Sequence, residues 1–310
     1  MNSTATGFLP RFKLFLALSR TPHGIVDLAT PALAALLWLG HFPPLPVTLL
    51  GLVTVFAGYT AVYALNDLVD YRADREKVKA GGYADGEDFL DGVLVRHPLA
   101  KGVLRVSEGI AWTAFWAVVA MVGAWQLNPV CFFIFLLGAA LEVVYCRLWQ
   151  VTPLRGLVNG LVKSMGAMAA VFAVDPSPSA GFLLVFLCLI FFWEIGGQNI
   201  PNDWTDMEED RRFNAKTLPI RLGRGRAGQV ATVCLVTAFF ITFLVLWVSP
   251  LTFGPVYLLG VTGLGVWLLL LPALRLNQEN DRRVAMDLFN HASYYPLSLL
   301  GVTLVRIWLA

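Results

Sequence analysis

The chain has 310 residues, of which 57% are hydrophobic and only 14% are charged, and its mean hydropathy is +0.66. Soluble domains contain about 45 to 50% apolar residues, so this composition excludes an ordinary soluble domain and predicts a protein of the lipid bilayer. The net charge is +2 and the basic residues are spread over several loops instead of one patch, so no nucleic-acid partner is expected.

Nine apolar segments recur along the chain, each of about 17 to 23 residues, the length that a helix needs to cross the hydrocarbon. Residues 1–22 precede them and carry basic side chains without a long apolar stretch, which predicts a short interfacial helix and not a signal peptide. The sequence therefore predicts an all-α polytopic membrane protein, with a single transmembrane domain over residues 1–310. Its nine helices are predicted at residues 24–41, 45–65, 108–126, 129–145, 155–174, 180–200, 228–248, 252–274 and 288–309.

The positive charges indicate how these helices are oriented. If the N-terminus is cytoplasmic, all 23 Lys and Arg residues except Lys163 and Arg306 fall in segments on the inner side. This distribution is the positive-inside pattern of membrane proteins. We therefore expect a cytoplasmic N-terminus, cytoplasmic motif loops at residues 66–107 and 201–227, and an active site near the inner face of a bacterial cytoplasmic membrane.

An acidic motif occurs twice in the chain. The pattern Asn-Asp-x-x-Asp-x-x-x-Asp occupies residues 66–74 and again residues 202–210. One copy follows the second predicted helix and the other follows the sixth, so the copies lie four helices apart on the same side of the membrane. This spacing predicts two parallel four-helix repeats followed by a ninth helix.

Within each copy the polar side chains form one stripe on a helix, because their spacing keeps them within a sector of about 100°. Like charges on one helical face repel each other, and Mg²⁺ binds to a few carboxylates together with substrate phosphate oxygens. Solvated loops are the alternative, but acids at a membrane are costly without a function. The sequence therefore predicts a Mg²⁺ site that holds a diphosphate, with the ligands Asn66, Asp67, Asp70, Asp74, Asn202, Asp203, Asp206 and Asp210.

These motifs resemble those of the UbiA-type intramembrane aromatic prenyltransferases. Further similar segments are residues 19–24 (SRTPHG), 96–102 (RHPLAKG) and 216–223 (KTLPIRLG). The resemblance implies nine helices around a site where Mg²⁺ and basic residues hold a polyprenyl diphosphate. It also implies transfer of the prenyl group, through an allylic carbocation, to a hydrophobic or aromatic acceptor among the membrane lipids. A quinone precursor is the expected acceptor.

Single residues can be assigned to this chemistry. The residues expected to be catalytic are Asp67, Asp70 and Asp206 in the motifs, Tyr145 beside the carbocation, and Glu194 as the acid that holds or deprotonates the acceptor. Those expected to bind the diphosphate are Asn66, Arg20, Arg147, Lys163 and Lys216. The other acids in apolar spans, Asp27 and Glu142, are interpreted as buried hydrogen-bonded groups.

The chain departs from the family pattern in two places. An acidic, Gly-rich stretch over residues 76–95 separates the first motif from residues 96–102, and it is interpreted as a lid or an insertion. The family's Lys is missing a few residues after Tyr145, so Arg147, Arg155 and Lys163 are alternatives for the cation that binds phosphate.

Other functions stay open at this stage. The same fold could act on a glycerol-lipid, haem or chlorin acceptor, or could transfer a phosphoribosyl group to a lipid. A cation transporter also fits a repeat with membrane acids, but carrier sites lie near the bilayer midplane, whereas both acidic stripes here lie at helix ends.

Overall fold

The computed structural model describes residues 8–82 and 94–309, and every secondary-structure element in them is helical. The helices of the N-terminal half are α1 (Phe8–Leu18), α2 (Thr21–Asp27), α3 (Ala29–Leu39), α4 (Leu45–Lys79), α5 (Val106–Leu127), α6 (Pro129–Arg147) and α7 (Arg155–Val174). Those that follow are α8 (Ala180–Trp193), α9 (Ile200–Thr205), α10 (Met207–Arg212), α11 (Leu218–Leu222), α12 (Arg224–Val248), α13 (Pro255–Gly265), α14 (Leu271–Glu279), α15 (Arg282–Ser293) and α16 (Tyr295–Trp308). Two π-helical segments, Glu194–Asn199 and Val266–Leu270, join α8 to α9 and α13 to α14.

Eight helical segments in the described part of the chain are long and apolar enough to cross a membrane. They match the first eight predicted helices in order, from Thr21–Leu39 to Pro255–Glu279. The region predicted as the ninth holds parts of two helices, α15 and α16, which have 12 and 14 residues and meet at Tyr294. Pro296 in the first turn of α16 has no N–H to donate, so it starts a new helix. A ninth membrane-spanning helix and the cytoplasmic N-terminus therefore stay predictions.

The longest helix, α4, has 35 residues and continues well beyond the span predicted for it. Residues 66–79 contain neither Pro nor Gly, so nothing in the sequence interrupts the helix there. It ends with Lys77 and Lys79 in the last turn, where the helix dipole favours positive charge. The first motif thus lies on a regular helix, and the loop that was predicted to begin at residue 66 begins only at Ala80.

The second motif follows a change of helix type. The π-helical segment Glu194–Asn199 contains Gly196, and a Cβ atom there would lie 2.7 Å from the Ala231 carbonyl oxygen and 2.8 Å from Cys234 Cβ on α12. Only glycine permits this close approach of two helices. The wider π turn and Pro201, which lacks an N–H, redirect the chain. Residues 202–210 are consequently divided between the short helices α9 and α10.

The main hydrophobic core lies on one side of the bundle. It packs α8 against α12 and α3 against α7, with large buried side chains such as Phe182, Trp193 and Tyr295. A smaller cluster around Leu18 and Leu99 packs the loop after the first motif against α4. A cavity lies between the helices α4, α6 and α7 and the 194–210 segment.

Candidate active site

The cavity is elongated and has a volume of about 660 Å³. Residues of α4 line it from Val47 to Lys77, a length of about 45 Å at about 1.5 Å per residue. The lining is charged where the two motifs meet, which we call the cavity mouth, and mainly apolar toward Val47. The predicted site residues that line it are Arg20, Asn66, Asp67, Asp70, Asp74, Tyr145, Lys163, Glu194, Asn202, Asp203, Asp206 and Asp210.

The first motif is held by side chains from other elements. Asn66 Nδ2 donates hydrogen bonds to Glu142 Oε1 at 2.6 Å and to Cys146 Sγ at 3.3 Å, both on α6. Arg20 donates to Asn66 Oδ1 at 3.4 Å and lies 3.7 Å from Asp67 Oδ1. A left-handed backbone conformation at Arg20, with φ of 44°, turns the chain between α1 and α2 and so places this guanidinium group. The start of the acidic stripe is therefore oriented before any ligand binds.

His97 brings the loop after α4 back onto the first motif. Its Nδ1 atom lies 3.2 Å from Asp67 Oδ1 and 3.1 Å from Asp74 Oδ2. Burial of the ring opposes protonation, but the carboxylates of Asp74 and Asp67 outweigh it and raise the pKa of His97 to about 9. The backbone at His97 also has a positive φ of 50°, a strained conformation that is typical of functional sites. The imidazolium thus neutralises part of the negative charge on the stripe.

The acids of the second motif each face a cation from elsewhere in the chain. The pairs are Arg155 with Asp203 at 2.5 Å, Arg96 with Asp206 at 3.9 Å and Lys77 with Asp210 at 2.8 Å. Lys77 lies on α4 and Arg96 lies in the loop that follows it, so two of the pairs join the first motif's segment to the second. The two motifs therefore meet at the same end of the bundle, as their repeat predicts.

Lys77 is a site residue that the sequence analysis missed. It is 6% exposed, and its ammonium group lies 4.3 Å from the centre of the Trp149 ring. A Lys near a helix end is usually solvated, which is why it drew no attention. A signal was present, however, because Lys77 follows Asp74 by three residues and so continues the stripe of Asp67 and Asp70. Arg96 and His97 belong to the 96–102 segment, but the sequence pattern assigned neither of them a role.

Tyr145 and Arg155 form one wall of the cavity. The Arg155 guanidinium lies 4.7 Å from the centre of the Tyr145 ring, and Asn199 Nδ2 donates to Tyr145 Oη at 3.1 Å. Of the three candidates for the phosphate-binding cation, Arg155 and Lys163 line the cavity and Arg147 does not. Arg147 is exposed and lies outside the cavity lining. It follows Tyr145 by two residues, which turns it by about 200° around the helix and away from the cavity. Lys216 is also exposed and outside the lining, so the position of neither supports its predicted contact with the diphosphate.

A second polar cluster lines the cavity deeper in the membrane-spanning part. Lys163 Nζ donates hydrogen bonds to Asp27 Oδ2 at 2.5 Å and to Tyr63 Oη at 2.9 Å, and Tyr63 also donates to Asp27. Lys163, predicted to bind phosphate, is therefore already paired with an acid. Glu194 Oε1 accepts a hydrogen bond from Asn159 Nδ2 at 2.7 Å.

The acids at the cavity mouth fit a hard divalent cation. Ligand atoms of Asp67, Asp74 and His97 lie within 4.8 Å of one another, and carboxylates of both motifs line the same space. Such cations prefer carboxylate oxygens and complete their shell with water and phosphate oxygens. Because Mg²⁺ prefers oxygen ligands, the carboxylates fit it better than the His97 ring nitrogen does.

The fold and the site together define a class of protein. It is an integral membrane protein whose helices enclose a cavity with an acidic, cation-lined mouth and an apolar interior, suited to a molecule that is both polyanionic and hydrophobic. The chain belongs to the UbiA prenyltransferase family, whose model matches residues 28–294, and the resemblance inferred from the motifs is confirmed. It is accordingly an enzyme of the prenyltransferase class.

Individual relatives agree with this assignment. The chain is 27% identical over 205 residues to the digeranylgeranylglyceryl phosphate synthase of Methanosarcina mazei. The aligned segment covers 64% of this chain and 68% of the relative. Its fold is similar to that of a UbiA homologue from Aeropyrum pernix K1, with a TM-score of 0.72 and 19% identity over 91% of this chain and 97% of that one. The fold is also similar to that of a UbiA homologue from Archaeoglobus fulgidus bound to DMAPP and Mg²⁺, with a TM-score of 0.67 and 16% identity. This match covers 96% of this chain and 99% of the homologue.

Proposed function

We propose that this chain transfers a prenyl group from its diphosphate to an acceptor inside the membrane, with Mg²⁺ as cofactor. The observation that carries the proposal is that both acidic motifs line one end of a single cavity, which continues along α4 into an apolar interior. A prenyl diphosphate has a polyanionic head and an apolar chain, and this cavity offers a matching environment for each. The A. fulgidus homologue bound to DMAPP and Mg²⁺ supports the same assignment.

The residues at the cavity mouth have distinct roles in this proposal. The acids of both motifs would hold Mg²⁺. The bound ion would neutralise the charge that develops on the departing diphosphate. Arg20 and Arg155 present guanidinium groups to the same space, where they bind phosphate oxygens. Their present carboxylate partners hold these side chains in place, so little reorganisation is needed when the diphosphate enters.

The prenyl carbon faces a different environment. When the allylic carbon–oxygen bond breaks, its electron pair leaves with the diphosphate, and the remaining carbocation must be kept from water. The apolar walls of the cavity exclude water, and the ring of Tyr145 is a π face at the boundary between the charged and apolar parts. The apolar length of the cavity toward Val47 accommodates the rest of the isoprenoid chain.

Two acceptor classes follow from different observations. The motif resemblance favours an aromatic quinone precursor, whereas the name of the M. mazei relative, a digeranylgeranylglyceryl phosphate synthase, favours a glycerol lipid. The positive-inside pattern favours a reaction at the cytoplasmic face in either case.

A product assay tests the proposed function. Purified protein in lipid nanodiscs is incubated with Mg²⁺, labelled prenyl diphosphates of several lengths, and either a hydroxybenzoic acid or a monoprenylglyceryl phosphate. Mass spectrometry of the products identifies donor and acceptor together. We expect Mg²⁺-dependent pyrophosphate release with one prenylated product, and the absence of release with every donor would refute the proposal.

The metal-holding role of the motifs leads to a first mutational prediction. Asp70→Asn and Asp206→Asn each remove a carboxylate charge at the cavity mouth, and we expect each to lower Mg²⁺-dependent pyrophosphate release by about 100-fold or more. Asp175→Asn is the control, because Asp175 pairs with Trp38 and is not among the residues that line the cavity. Full activity in both motif variants would contradict a metal site made of these acids.

A further inference from the structure

Two buried polar atoms deep in the cavity have no hydrogen-bond partner within residues 8–82 and 94–309. They are Glu194 Oε2 and Tyr59 Oη. Both residues line the cavity, Glu194 is 4% exposed, and its other carboxylate oxygen is already fixed by Asn159. A buried carboxylate oxygen or hydroxyl without a partner is costly in an apolar environment. Two such atoms on residues that line one cavity point to a polar ligand group as their partner.

The position of these atoms relates them to the proposed reaction. Tyr59 precedes Asp67 by eight residues on α4, and Glu194 precedes Asp203 by nine residues on the other wall of the cavity. Each separation corresponds to about 12 to 14 Å along a helix. Both atoms therefore lie on the membrane-interior side of the acids that are proposed to hold the diphosphate through Mg²⁺. In the proposed function the diphosphate lies at the cavity mouth and the prenyl chain extends inward, so an acceptor bound at this deeper pair would approach the allylic carbon from the apolar side.

The charges around this pair decide which acceptor group fits. Asp27 and Lys163 pair at 2.5 Å, so the positive charge of Lys163 is already offset by one acid. When Glu194 is ionised, it adds a further negative charge at the cavity wall, within electrostatic range of Tyr59. A carboxylate or phosphate placed here would be repelled by Glu194, whereas an uncharged hydroxyl group can donate to its Oε2 atom.

We propose that Glu194 and Tyr59 form the acceptor subsite, which binds an uncharged hydroxyl group and activates it. This inference rests on the proposed function. The allylic carbon–oxygen bond of the diphosphate breaks first, and its electron pair leaves on the diphosphate. Glu194 then accepts the hydroxyl proton at Oε2 as the acceptor oxygen forms a bond to the allylic carbocation, and the product is an ether. Tyr59 Oη donates a hydrogen bond that orients the acceptor oxygen. The acceptor class is therefore a lipid alcohol, and any anionic group that it carries remains nearer the cavity mouth.

The test separates ionisation of the donor from capture of the acceptor. Pyrophosphate release is measured without acceptor, where water slowly captures the carbocation, and ether formation is measured with a monoprenylglyceryl phosphate that has a free hydroxyl group. The same lipid with that hydroxyl methylated is the matched control compound. The variants are Glu194→Gln and Tyr59→Phe, and Tyr257→Phe is the control, since its hydroxyl group bonds to Thr303 and it is not among the residues lining the cavity.

We expect Glu194→Gln to lower ether formation by about 100-fold or more, the usual effect of losing a general base, with acceptor-independent pyrophosphate release unchanged. Tyr59→Phe should raise the KM for the alcohol by about fivefold to tenfold and leave the KM for the donor unchanged. Tyr257→Phe should transfer the prenyl group at the native rate. The methylated lipid should give no transfer.

Three results would overturn the subsite. One is native ether formation in both variants. Another is an equal loss of pyrophosphate release and transfer in Glu194→Gln, which would place this residue in donor binding or folding. The third is a native protein that prenylates a ring carbon of the hydroxybenzoic acid and not the alcohol. A native protein that releases no pyrophosphate from any donor refutes the proposed function itself, so the two failures are distinct.

Discussion

At the scale of single residues, most acids of the two motifs are paired with a cation. Lys77, Arg96 and Arg155 pair with the second motif, and Arg20 and His97 contact the first. These cations offset the negative charge of a dense group of carboxylates in a partly apolar environment. In the proposed function they are also groups that can bind phosphate oxygens.

The pair between Lys77 and Asp210 leads to a prediction about stability. Burial raises the pKa of Asp210, and the neighbouring Lys77 counteracts this effect, so removal of Lys77 leaves a buried acid without its ion-pair partner. We expect Lys77→Met to lower the free energy of unfolding by about 3 to 5 kcal/mol, measured by denaturant unfolding in detergent micelles.

The exposed neighbour Lys79 provides the control, since Lys79→Met should change the free energy of unfolding by less than about 0.5 kcal/mol. The double variant Lys77→Met/Asp210→Asn should regain part of the loss, because the unpaired charge is gone. Equal effects of the two lysine variants would show that the buried pair does not stabilise the fold.

At the scale of elements, the two motifs are presented differently. The first lies on the uninterrupted helix α4, so its polar side chains keep the regular spacing of a stripe. The second follows a π-helical segment and a proline, and its acids are divided between α9 and α10. A sequence repeat with identical spacing is thus built on two different backbones, and the second depends on the close contact between Gly196 and α12.

This contact can be tested with a single methyl group. Gly196→Ala would place a Cβ atom 2.7 Å from a backbone oxygen of α12, which cannot move as a flexible side chain can. We expect a loss of about 1 to 3 kcal/mol in the free energy of unfolding, together with reduced activity as the second motif shifts. Gly263→Ala is the control because no atom lies within 4 Å of the new Cβ, and it should be neutral or slightly stabilising. Identical thermal stability of the two variants would argue against the close contact.

At the scale of the whole molecule, the site lies at one end of a membrane bundle. Both motifs and the residues Arg96 and His97 line the cavity at this end. Eight described segments have the length and hydropathy to cross the bilayer, and one of them, Leu45–Lys79, lines the cavity from Lys77 to Val47. In the proposed function, a donor with its head at the mouth extends its chain along this helix.

The orientation of this end is a prediction that labelling can check. Cysteine is introduced at His41, between α3 and α4, and at Arg211 in α10, both exposed positions. In sealed spheroplasts we expect a membrane-impermeant maleimide to label His41→Cys, and to label Arg211→Cys only after lysis, because the positive-inside pattern predicts that the basic loops are inside. The unsubstituted chain controls for the four native cysteines, which are buried or half-buried. Labelling of Arg211→Cys in intact spheroplasts would reverse the orientation.

Much of the architecture was evident from sequence because membrane-spanning helices satisfy their backbone hydrogen bonds locally. Apolar length alone therefore placed eight helices, and the periodicity of residues 66–74 placed the acids on one face. The ninth predicted span differs because α15 and α16 divide at Tyr294, next to a proline whose local effect the hydropathy pattern does not reveal. The lid interpretation of residues 76–95 falls mostly on residues 83–93, outside the described residues.

The sequence by itself determined the membrane class, the order of the helices and the two acidic motifs, since each depends on residues that are close together in the chain. Only the tertiary structure decided which cations meet those acids. Lys77 and Asp210 are 133 residues apart, and Lys163 and Asp27 are 136 apart, so no local pattern could pair them. It also decided that Arg155 and not Arg147 faces the cavity, and that Glu194 and Tyr59 share it. Helix packing brings these side chains together, and the packing depends on the fit between surfaces from the whole chain.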